Sequence, residues 1–167
     1  TPGHVVSGSS ISKSLCIANK YVNAHREANF EQDISILKII VDSQISECKP
    51  SKLERIEDLN TILEDNTEGV LSLRLQNGGY DRIPVIITKW GPLYHYIEIS
   101  PKKSDRLLSE GMSGSTLRIN DDICGMLLSV NRTDNRGHVI RQDFLHDVVS
   151  SYFKAQKPRP RKKKFRS

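Results

Sequence analysis

The pentapeptide GMSGS at residues 111–115 places Ser113 between two glycines, where a serine hydroxyl could act as a nucleophile. Glycine reaches backbone conformations that other residues avoid, and it therefore permits tight loops. In such a loop, backbone N–H groups can converge on an oxygen that becomes negatively charged when a serine attacks a carbonyl. Glycine and serine are equally typical of ordinary turns between strands. The pentapeptide alone therefore leaves two interpretations open, a nucleophilic serine and a turn serine.

The segments that would position Ser113 have the pattern of short β-strands separated by turns. Apolar and β-branched residues dominate runs of strand length, and turn sequences such as QNGGYD stand between them. The runs are HVVSGSSIS, SLCIANKYV, ISILKIIV, GVLSLRL, RIPVIITKW, LYHYIEIS, STLRIN, ICGMLLSV and GHVIRQ.

Helices are predicted at few places. The polar segment 23–33 predicts one turn of helix or a loop, and the apolar spacing in residues 51–64 favours a helix over a strand–turn–strand arrangement. Residues 143–153 predict a helix with one apolar face. About ten strands closed by one helix indicate paired β-barrels or a sandwich.

GMSGS, followed by the strand ICGMLLSV, resembles the surroundings of the nucleophile in trypsin-like serine proteases of the chymotrypsin fold. That family has the pattern Gly-x-Ser-Gly-Gly/Ser, then a Gly-containing apolar strand, and its chains end in a helix. The resemblance implies an all-β protein with two six-stranded antiparallel β-barrels and a C-terminal helix. It divides the chain into an N-terminal barrel subdomain (1–66), a C-terminal barrel subdomain with the helix (67–153) and a basic tail (154–167). The implied activity is that of a serine endopeptidase, which hydrolyses peptide bonds through an acyl-enzyme.

The family has a histidine at a strand end as general base, in sequences such as Thr-Ala-Ala-His or Thr-Asn-Ala-His. The segment YVNAH resembles this pattern, which implies that His25 takes the proton of Ser113 and returns it to the leaving amine. In an alternative register, CIAN ends the strand, and Lys20 or Tyr21 occupies the position of the base. That register predicts an inactive homologue.

The third residue of the family's triad is a carboxylate that orients the imidazole, and two segments compete for this role. DISILKI, which begins at Asp33, looks most like the family's Asp-Ile-Ala-Leu-Leu, but it follows His25 by only eight residues. EDLNTIL contains Asp58, which follows His25 by 33 residues and precedes Ser113 by 55. We therefore predict the triad His25, Asp58 and Ser113, with Glu57 and Asp33 as alternative carboxylates.

The resemblance also implies an oxyanion hole and a specificity pocket. The oxyanion donors are the backbone N–H groups of Gly111, Met112 and Ser113. The pocket base is implied six residues before the nucleophile and its wall on the following strand, at Leu107, Leu128, Ser129 and Val130. An apolar base predicts cleavage after a hydrophobic or medium-sized side chain. No metal and no cofactor is implied.

Positive charge is concentrated at the C-terminal end of the chain. The net charge is +5, yet residues 154–167 hold eight Lys or Arg and no acid, which leaves 17 basic and 20 acidic residues elsewhere. Such a segment predicts a disordered tail that could bind nucleic acid or an anionic surface. The residues implied in that contact are Lys157, Arg159, Arg161, Lys162, Lys163, Lys164 and Arg166.

Cysteine usage predicts a reducing compartment. Cys16, Cys48 and Cys124 are widely spaced and odd in number, which argues against a disulfide framework and against a zinc site. The sequence shows no signal-peptide pattern and no apolar run of about 18 residues. Without the disulfides of secreted members, the chain looks more like viral, phage or intracellular bacterial proteases, and the opening TPG is compatible with release from a polyprotein.

We expect an intracellular or virion-associated protein whose partner is a polypeptide substrate. Two other functions stay open. One is a protease-like fold without catalysis that serves as a binding or structural module. The other is a nucleic-acid-binding β-barrel in which the basic tail is the main functional element.

Overall fold

The computed structural model describes residues 1–2, 13–17, 20–39, 55–75, 77 and 79–156, with the backbone alone at 13–17, 20–23, 25–27, 29, 38 and 39. Two predicted features therefore fall outside the described residues: the strand HVVSGSSIS and the basic tail from residue 157 onward. Within the described residues, no helix has both the length and the apolar character needed to cross a membrane.

Six strands form a closed antiparallel barrel, which is the main body of the described chain. They are β4 (Glu68–Arg74), β5 (Tyr80–Lys89), β6 (Tyr96–Pro101), β7 (Thr116–Ile119), β8 (Asp122–Asn131) and β9 (Arg136–Arg141). Their order around the barrel is β4-β5-β6-β9-β8-β7, and pairing of β7 with β4 closes it. Each strand lies at a run that the sequence predicts to be β, so these six predictions are confirmed.

Alternation of apolar and polar residues explains why these strands close into a barrel. In β5, Ile83, Val85 and Ile87 are buried, while Arg82, Pro84 and Thr88 on the opposite face are exposed. The buried side chains of the other strands meet them in one cluster, which includes Leu71, Ile97, Ile99, Leu117, Ile119, Leu127 and Val139. Closure leaves no strand edge of the barrel unpaired.

The N-terminal half forms a three-stranded antiparallel sheet in the order β1-β2-β3. Its strands are β1 (Lys13–Ile17), β2 (Lys20–Phe30) and β3 (Ile34–Ile39). The prediction of one strand over SLCIANKYV is wrong, because this run divides into β1 and the start of β2. The prediction of a helical turn or loop over 23–33 is also wrong, since β2 continues to Phe30.

Cross-strand pairing gives the physical reason for that long second strand. Residues from Ala24 to Phe30 pair with β3, from Ala24 opposite Ile39 to Phe30 opposite Ile34, so β3 supplies hydrogen-bond partners to a polar segment that has weak strand propensity of its own. The sequence predicts two six-stranded barrels. The described residues form one closed barrel and this three-stranded sheet.

Two helices complete the described fold. α1 (Leu59–Ile62) is a single turn at the predicted helix, and its Leu59, together with Leu63 just after it, is buried in the barrel core. α2 (Gln142–Gln156) follows β9 directly and confirms the predicted C-terminal helix. It continues three residues into the segment expected to be tail.

A second apolar cluster joins the N-terminal sheet to the barrel and to α2. Ile34 at the start of β3 packs with Leu128 of β8 and Ile140 of β9. Partly buried residues of α2 and the end of β2 surround them, namely Phe30, Phe144, Leu145 and Val148. The Phe30 ring also contacts Tyr152 edge-on, with the ring centroids 6.0 Å apart. These contacts hold the first residue of β3 beside β8.

Candidate active site

Ser113 lies directly after a 3-10 turn at Glu110–Met112 and before β7. Its hydroxyl Oγ donates to the backbone carbonyl of Leu128, at 2.9 Å, and lies 3.1 Å from the carbonyl of Glu110. The strand register of β8 shifts between Leu127 and Ser129, so Leu128 lies at a bulge. A bulge interrupts the regular ladder and leaves a carbonyl for another donor. Ser113 is held against β8 by this contact.

Backbone hydrogen bonds hold the rest of the GMSGS loop on β8. The N–H of Gly114 donates to Leu127 O at 2.8 Å, and the N–H of Leu127 donates to Ser115 O at 2.8 Å. The buried Ser115 hydroxyl donates to Met112 O at 2.6 Å. Gly114 has φ +95°, a conformation that L side chains rarely adopt, so glycine is required there. The loop is built into the sheet and does not project from it.

The predicted oxyanion donors are engaged within the 3-10 turn. The N–H of Met112 donates to Ser109 O at 3.0 Å, and the N–H of Ser113 donates to Glu110 O at 3.3 Å. The Glu110 carbonyl therefore accepts from both the N–H and the hydroxyl of Ser113. In this conformation two of the three predicted donors, Met112 and Ser113, are not converged on an external oxygen. Space around the third, Gly111, is open, because a Cβ added there would meet nothing within 4 Å.

The predicted triad partners lie on separate elements. His25 is in the middle of β2, paired with Lys38 of β3, and its side chain is outside the described part of the chain. It does not end a strand, contrary to the expectation for YVNAH. Asp58 precedes the first residue of α1 and is exposed, and its backbone carbonyl accepts the N–H and the hydroxyl of Thr61. The roles of both residues stay predictions.

The alternative carboxylates have different surroundings. Glu57 is exposed beside Asp58. Asp33 lies in the tight turn between β2 and β3, with φ 60°, and its N–H donates to Phe30 O at 3.2 Å. It directly precedes Ile34, whose side chain packs on Leu128. Asp58 is likewise next to a packed residue, since Leu59 lies in the barrel cluster that contains Met112.

Sequence reasoning missed a contact between the N-terminal residues and the GMSGS loop. Pro2 forms an isolated β-bridge with Ile34, and the N–H of Ser35 donates to Thr1 O at 2.8 Å. A Cβ added to Gly114 would lie 3.7 Å from Pro2 Cδ. No local pattern in the sequence signals this contact, because it is made between segments distant along the chain.

The predicted pocket residues occupy different environments. Leu107 is 68% exposed, and the side chain of Leu128 is only 5% exposed, in the cluster with Ile34 and Ile140. Ser129 is exposed and Val130 is half-buried against the barrel core. A cavity of about 1200 Å³ lies on β4, β5 and β7, and Ser113 does not line it. The pocket assignment stays a prediction.

Three titratable groups of the described chain have clearly shifted pKa values. Burial lowers the pKa of the N-terminal amine of Thr1. Burial raises the pKa of the Cys124 thiol to about 11, and the nearby charge of Asp122 adds to this effect. For Asp147, desolvation acts to raise the pKa, but hydrogen bonds from Arg55 and His146 outweigh it and lower the pKa. No cluster of three or more His, Cys, Asp or Glu that could hold a metal occurs among the residues that the structure describes.

No protein-family model matches the sequence, and no curated protein matches it. Solved structures do match. The Rv3671c protease from Mycobacterium tuberculosis in its active form has a TM-score of 0.66 and 18% identity, over 96% of this chain and 70% of that chain. The HtrA-type protease AlgW with a decapeptide has a TM-score of 0.68 and 16% identity, over 92% of this chain and 47% of that one.

A serine endoprotease from Yersinia pestis gives a similar result, with a TM-score of 0.65 and 16% identity, over 92% of this chain and 53% of its own. The chain thus spans about half the length of the Yersinia protein and of AlgW. At these identities the similarity concerns the fold. The barrel, the C-terminal helix and the loop that carries Ser113 therefore belong to a chain with the fold of trypsin-like serine proteases.

Proposed function

We propose that this chain is a serine endopeptidase in which Ser113 is the nucleophile. The observation that supports the proposal is the position of Ser113 in a loop flanked by glycines, in a barrel whose fold is shared with serine proteases. Ser113 is half-buried there, and its hydroxyl donates to the Leu128 carbonyl. The substrate would be a polypeptide, and the structure of the similar AlgW protease contains a decapeptide.

The proposed reaction has two halves. A histidine takes the proton of Ser113 Oγ while Oγ bonds to the scissile carbonyl carbon, and the carbonyl oxygen becomes an oxyanion. The C–N bond then breaks, the amine leaves with that proton, and an acyl-enzyme remains. Water attacks the acyl-enzyme, gives its proton to the histidine, and releases the carboxylic acid while Ser113 regains its proton. The sequence prediction assigns the histidine to His25 and its orienting carboxylate to Asp58.

Catalysis would require the 3-10 turn to open. An oxyanion hole needs N–H donors about 2.7–3.1 Å from the position of the charged oxygen. The N–H of Ser113 now donates to Glu110 O. A rotation of the peptide between Glu110 and Gly111 would move that carbonyl away and free the donor. Gly111 suits such a rotation because the space around its Cα is open.

A fluorophosphonate probe tests this function because it reacts with an activated serine. We expect labelling of the wild-type chain, no labelling of Ser113→Ala, and wild-type labelling of the control Ser104→Ala, which changes an exposed serine outside the GMSGS loop. Hydrolysis of peptides with hydrophobic or medium-sized side chains before the cleaved bond should follow the same order. Equal labelling of Ser113→Ala and wild type would remove the assignment.

The finer features of the predicted architecture are part of the same proposal. Residues 1–66 would form the N-terminal barrel subdomain, to which the antiparallel strands β1–β3 contribute, and residues 67–153 the C-terminal subdomain. The pocket would use the backbone and side chains around Leu107, Leu128, Ser129 and Val130 after the loop rearranges. The protein would act inside a cell or with a virion.

A second candidate is a protease-like module that binds without catalysis. The engaged N–H groups of Met112 and Ser113 favour it, because a site that never hydrolyses a substrate has no need to free them. In that case neither wild type nor Ser113→Ala would be labelled by the probe, and a peptide would bind both with equal affinity.

The basic residues from 157 onward would supply a separate partner contact with nucleic acid or an anionic surface. The support is their charge alone, eight basic residues without an acid over 154–167. Affinity for a single-stranded oligonucleotide should fall steeply between about 50 and 200 mM salt, because each neutralised phosphate releases counterions. Deletion of residues 157–167 should abolish that binding and leave probe labelling unchanged.

A further inference from the structure

The outer face of the barrel has a groove that Ser113 does not line. It is the cavity of about 1200 Å³ on β4, β5 and β7, and Lys102 and Lys103, which follow β6, also line it. We propose that this groove binds an extended, acidic segment of another polypeptide. The inference goes beyond the proposed function, because such binding requires no step of peptide hydrolysis.

Strand pairing explains why the lining side chains share one face of the sheet. Leu71 of β4 pairs with Ile83 of β5 and with Leu117 of β7, and all three are buried in the barrel core. Successive side chains of a strand point to opposite faces. Val70 and Ser72, on either side of Leu71, therefore face outward together with their own pairing partners, and none of these residues is fully buried.

Two rows of paired residues cross these three strands and form the floor of the groove. From β7 to β5, the rows are Arg118, Val70 and Pro84, then Thr116, Ser72 and Arg82. The first row has apolar surface at its centre, and the second has two neighbouring hydroxyl groups. Hydroxyl groups can donate to carboxylate and carbonyl oxygens. A guanidinium lies at one end of each row, at opposite sides of the groove.

The groove has an excess of positive charge. Its lining includes four basic and two acidic side chains, namely Arg82, Lys102, Lys103 and Arg118 with Glu68 and Asp121. Of the four basic groups, only Lys102 forms an ion pair with a described residue, Glu68. The Arg118 guanidinium donates to the backbone carbonyl of Asp121, at 3.0 Å. Three cationic groups thus lack a paired carboxylate within the described part of the chain, and an acidic ligand would supply it.

The distance between the two arginines sets the spacing of the acidic groups in the ligand. Arg118 and Arg82 lie on opposite sides of β4, and their register differs by two residues, because they pair with Val70 and Ser72. With strands about 4.8 Å apart and about 3.3 Å per residue, their Cα atoms are roughly 12 Å apart. In an extended chain, side chains four residues apart lie on one face and are about 13 Å apart. The groove therefore matches two carboxylates four residues apart.

The same lining favours a polypeptide over a nucleic acid. A nucleic acid carries a negative charge at every nucleotide, so Asp121 would repel part of its backbone. Single-stranded bases stack on open aromatic rings. Tyr80 lines the groove, but the Arg74 guanidinium already lies 4.8 Å from its ring centroid. A polypeptide can place a few carboxylates at the arginines and apolar side chains on the floor between them.

A labelled peptide tests this binding in the full chain by fluorescence anisotropy. The probe is Gly-Glu-Val-Thr-Val-Glu-Gly with blocked termini and a zwitterionic rhodamine, and its β-branched residues favour an extended conformation. One matched peptide has Gln in place of both Glu, and another has the two Glu side by side. We expect the probe to bind about tenfold tighter than the Gln peptide and about threefold tighter than the peptide with adjacent Glu, and to bind more weakly at high salt. Equal affinities of the Glu and Gln peptides would overturn the proposal.

Substitutions in the groove locate the binding. Arg82→Gln and Arg118→Gln should each weaken it about fivefold or more, because a carboxylate of the probe loses a charge-assisted hydrogen bond. The control Arg132→Gln removes the same charge from an exposed residue outside the groove and should change the affinity less than about twofold. Equal losses in all three variants would mean that net charge alone attracts the probe. Binding that is lost on deletion of residues 157–167 but kept in both groove variants would place the probe on the basic tail. Either result would overturn the proposal.

A charge exchange gives a gain of binding, which a misfolded variant cannot give. The double variant Arg82→Glu with Arg118→Glu should bind Gly-Lys-Val-Thr-Val-Lys-Gly tighter than the Glu probe, whereas the wild type should have the opposite order. Thermal unfolding shows whether the double variant is folded. A folded double variant that keeps the order of the wild type would contradict the assignment of the two arginines.

Binding in the groove and catalysis at Ser113 give separate results. Ser113→Ala should bind the probe like the wild type, since Ser113 does not line the groove. Probe binding that depends on Arg82 and Arg118, in a wild-type chain that fluorophosphonate never labels, would reject the proposed function and keep the groove. A single-stranded oligonucleotide that displaces the probe, and that binds more weakly to both groove variants, would assign the groove to nucleic acid and overturn the choice of a polypeptide.

Discussion

Arg141 at the end of β9 connects three parts of the chain, and its removal should be strongly destabilising. Its guanidinium donates to both carboxylate oxygens of Asp143, at 3.1 and 2.7 Å, to Gly91 O at 2.9 Å and to Asn60 Oδ1 at 2.8 Å. The side chain is 3% exposed, and that of Asp143 is 18% exposed. Arg141→Met keeps the apolar stem but leaves the carboxylate and two further acceptors without this donor.

The expected loss follows from that burial. Removing one partner of a buried ion pair costs about 3–5 kcal/mol, because the other charge stays in a poorly solvated place. This is a large part of the roughly 5–15 kcal/mol that stabilises a typical domain. Arg55→Met is the matched control, since Arg55 is 41% exposed and its partner Asp147, at 3.1 Å, is 56% exposed. An exposed pair contributes about 0–1 kcal/mol.

Urea unfolding measured by tryptophan fluorescence provides the assay. The chain has one tryptophan, Trp90, which packs against the barrel core next to Gly91, an acceptor of Arg141. For an m value near 2 kcal/mol/M, the midpoint of Arg141→Met should be lower by about 1.5–2.5 M. A free energy of unfolding for Arg141→Met within about 1 kcal/mol of that for Arg55→Met would refute the argument that this guanidinium holds the three parts together.

Three further outcomes are expected. Gly114→Ala should lower the free energy of unfolding by about 1–2 kcal/mol, because a Cβ at φ +95° is strained even though Pro2 leaves room for it, whereas Gly111→Ala should leave the unfolding curve unchanged. Native Cys124, with its pKa raised to about 11 from 9.0, should react with iodoacetamide about 100 times more slowly at pH 8 than in the urea-unfolded chain; equal rates would contradict its burial. The raised pKa of the Cys124 thiol stabilises the fold fully below pH 9, and this stabilisation is lost as the pH rises towards 11. The midpoint of urea unfolding should therefore decrease between pH 9 and 11, and Cys124→Ala should make this decrease smaller.

Hydrophobic alternation predicts the barrel well, because each of its strands has one face in the core and one in solvent. Ile83, Val85 and Ile87 are an example, since the segment RIPVIITKW has an apolar residue at each of these alternate positions, and all three are buried. The polar residues of β2 carry no such pattern, and they form a strand because β3 lies beside them. That neighbour is set by tertiary structure, so local propensity could not predict it.

The sequence alone could single out Ser113 because its glycine neighbours form a local motif, whereas the predicted triad partners leave no such local motif, and all three roles stay predictions. Gly114 has to be glycine at its positive φ, and the motif therefore leaves a readable trace. The base and the carboxylate are chosen by distance across the fold. The spacing from His25 favoured Asp58 and left Asp33 as an alternative. The structure places Ile34, the residue after Asp33, against Pro2 and in the cluster with Leu128, and spacing along the chain could not indicate this.

The 3-10 turn at Glu110–Met112 has a consequence for any rate measured on this protein. Opening it breaks two backbone hydrogen bonds, those donated by the N–H groups of Met112 and Ser113, and each contributes about 0.5–1.5 kcal/mol to stability. A closed state favoured by about 1–3 kcal/mol leaves roughly 1–15% of molecules competent at any moment, and it lowers apparent substrate affinity by the same fraction. A peptide that binds only the open state would therefore shift the closed molecules to the open state. This shift could increase the measured activity up to about a hundredfold, while the chemistry of a single turnover stays the same.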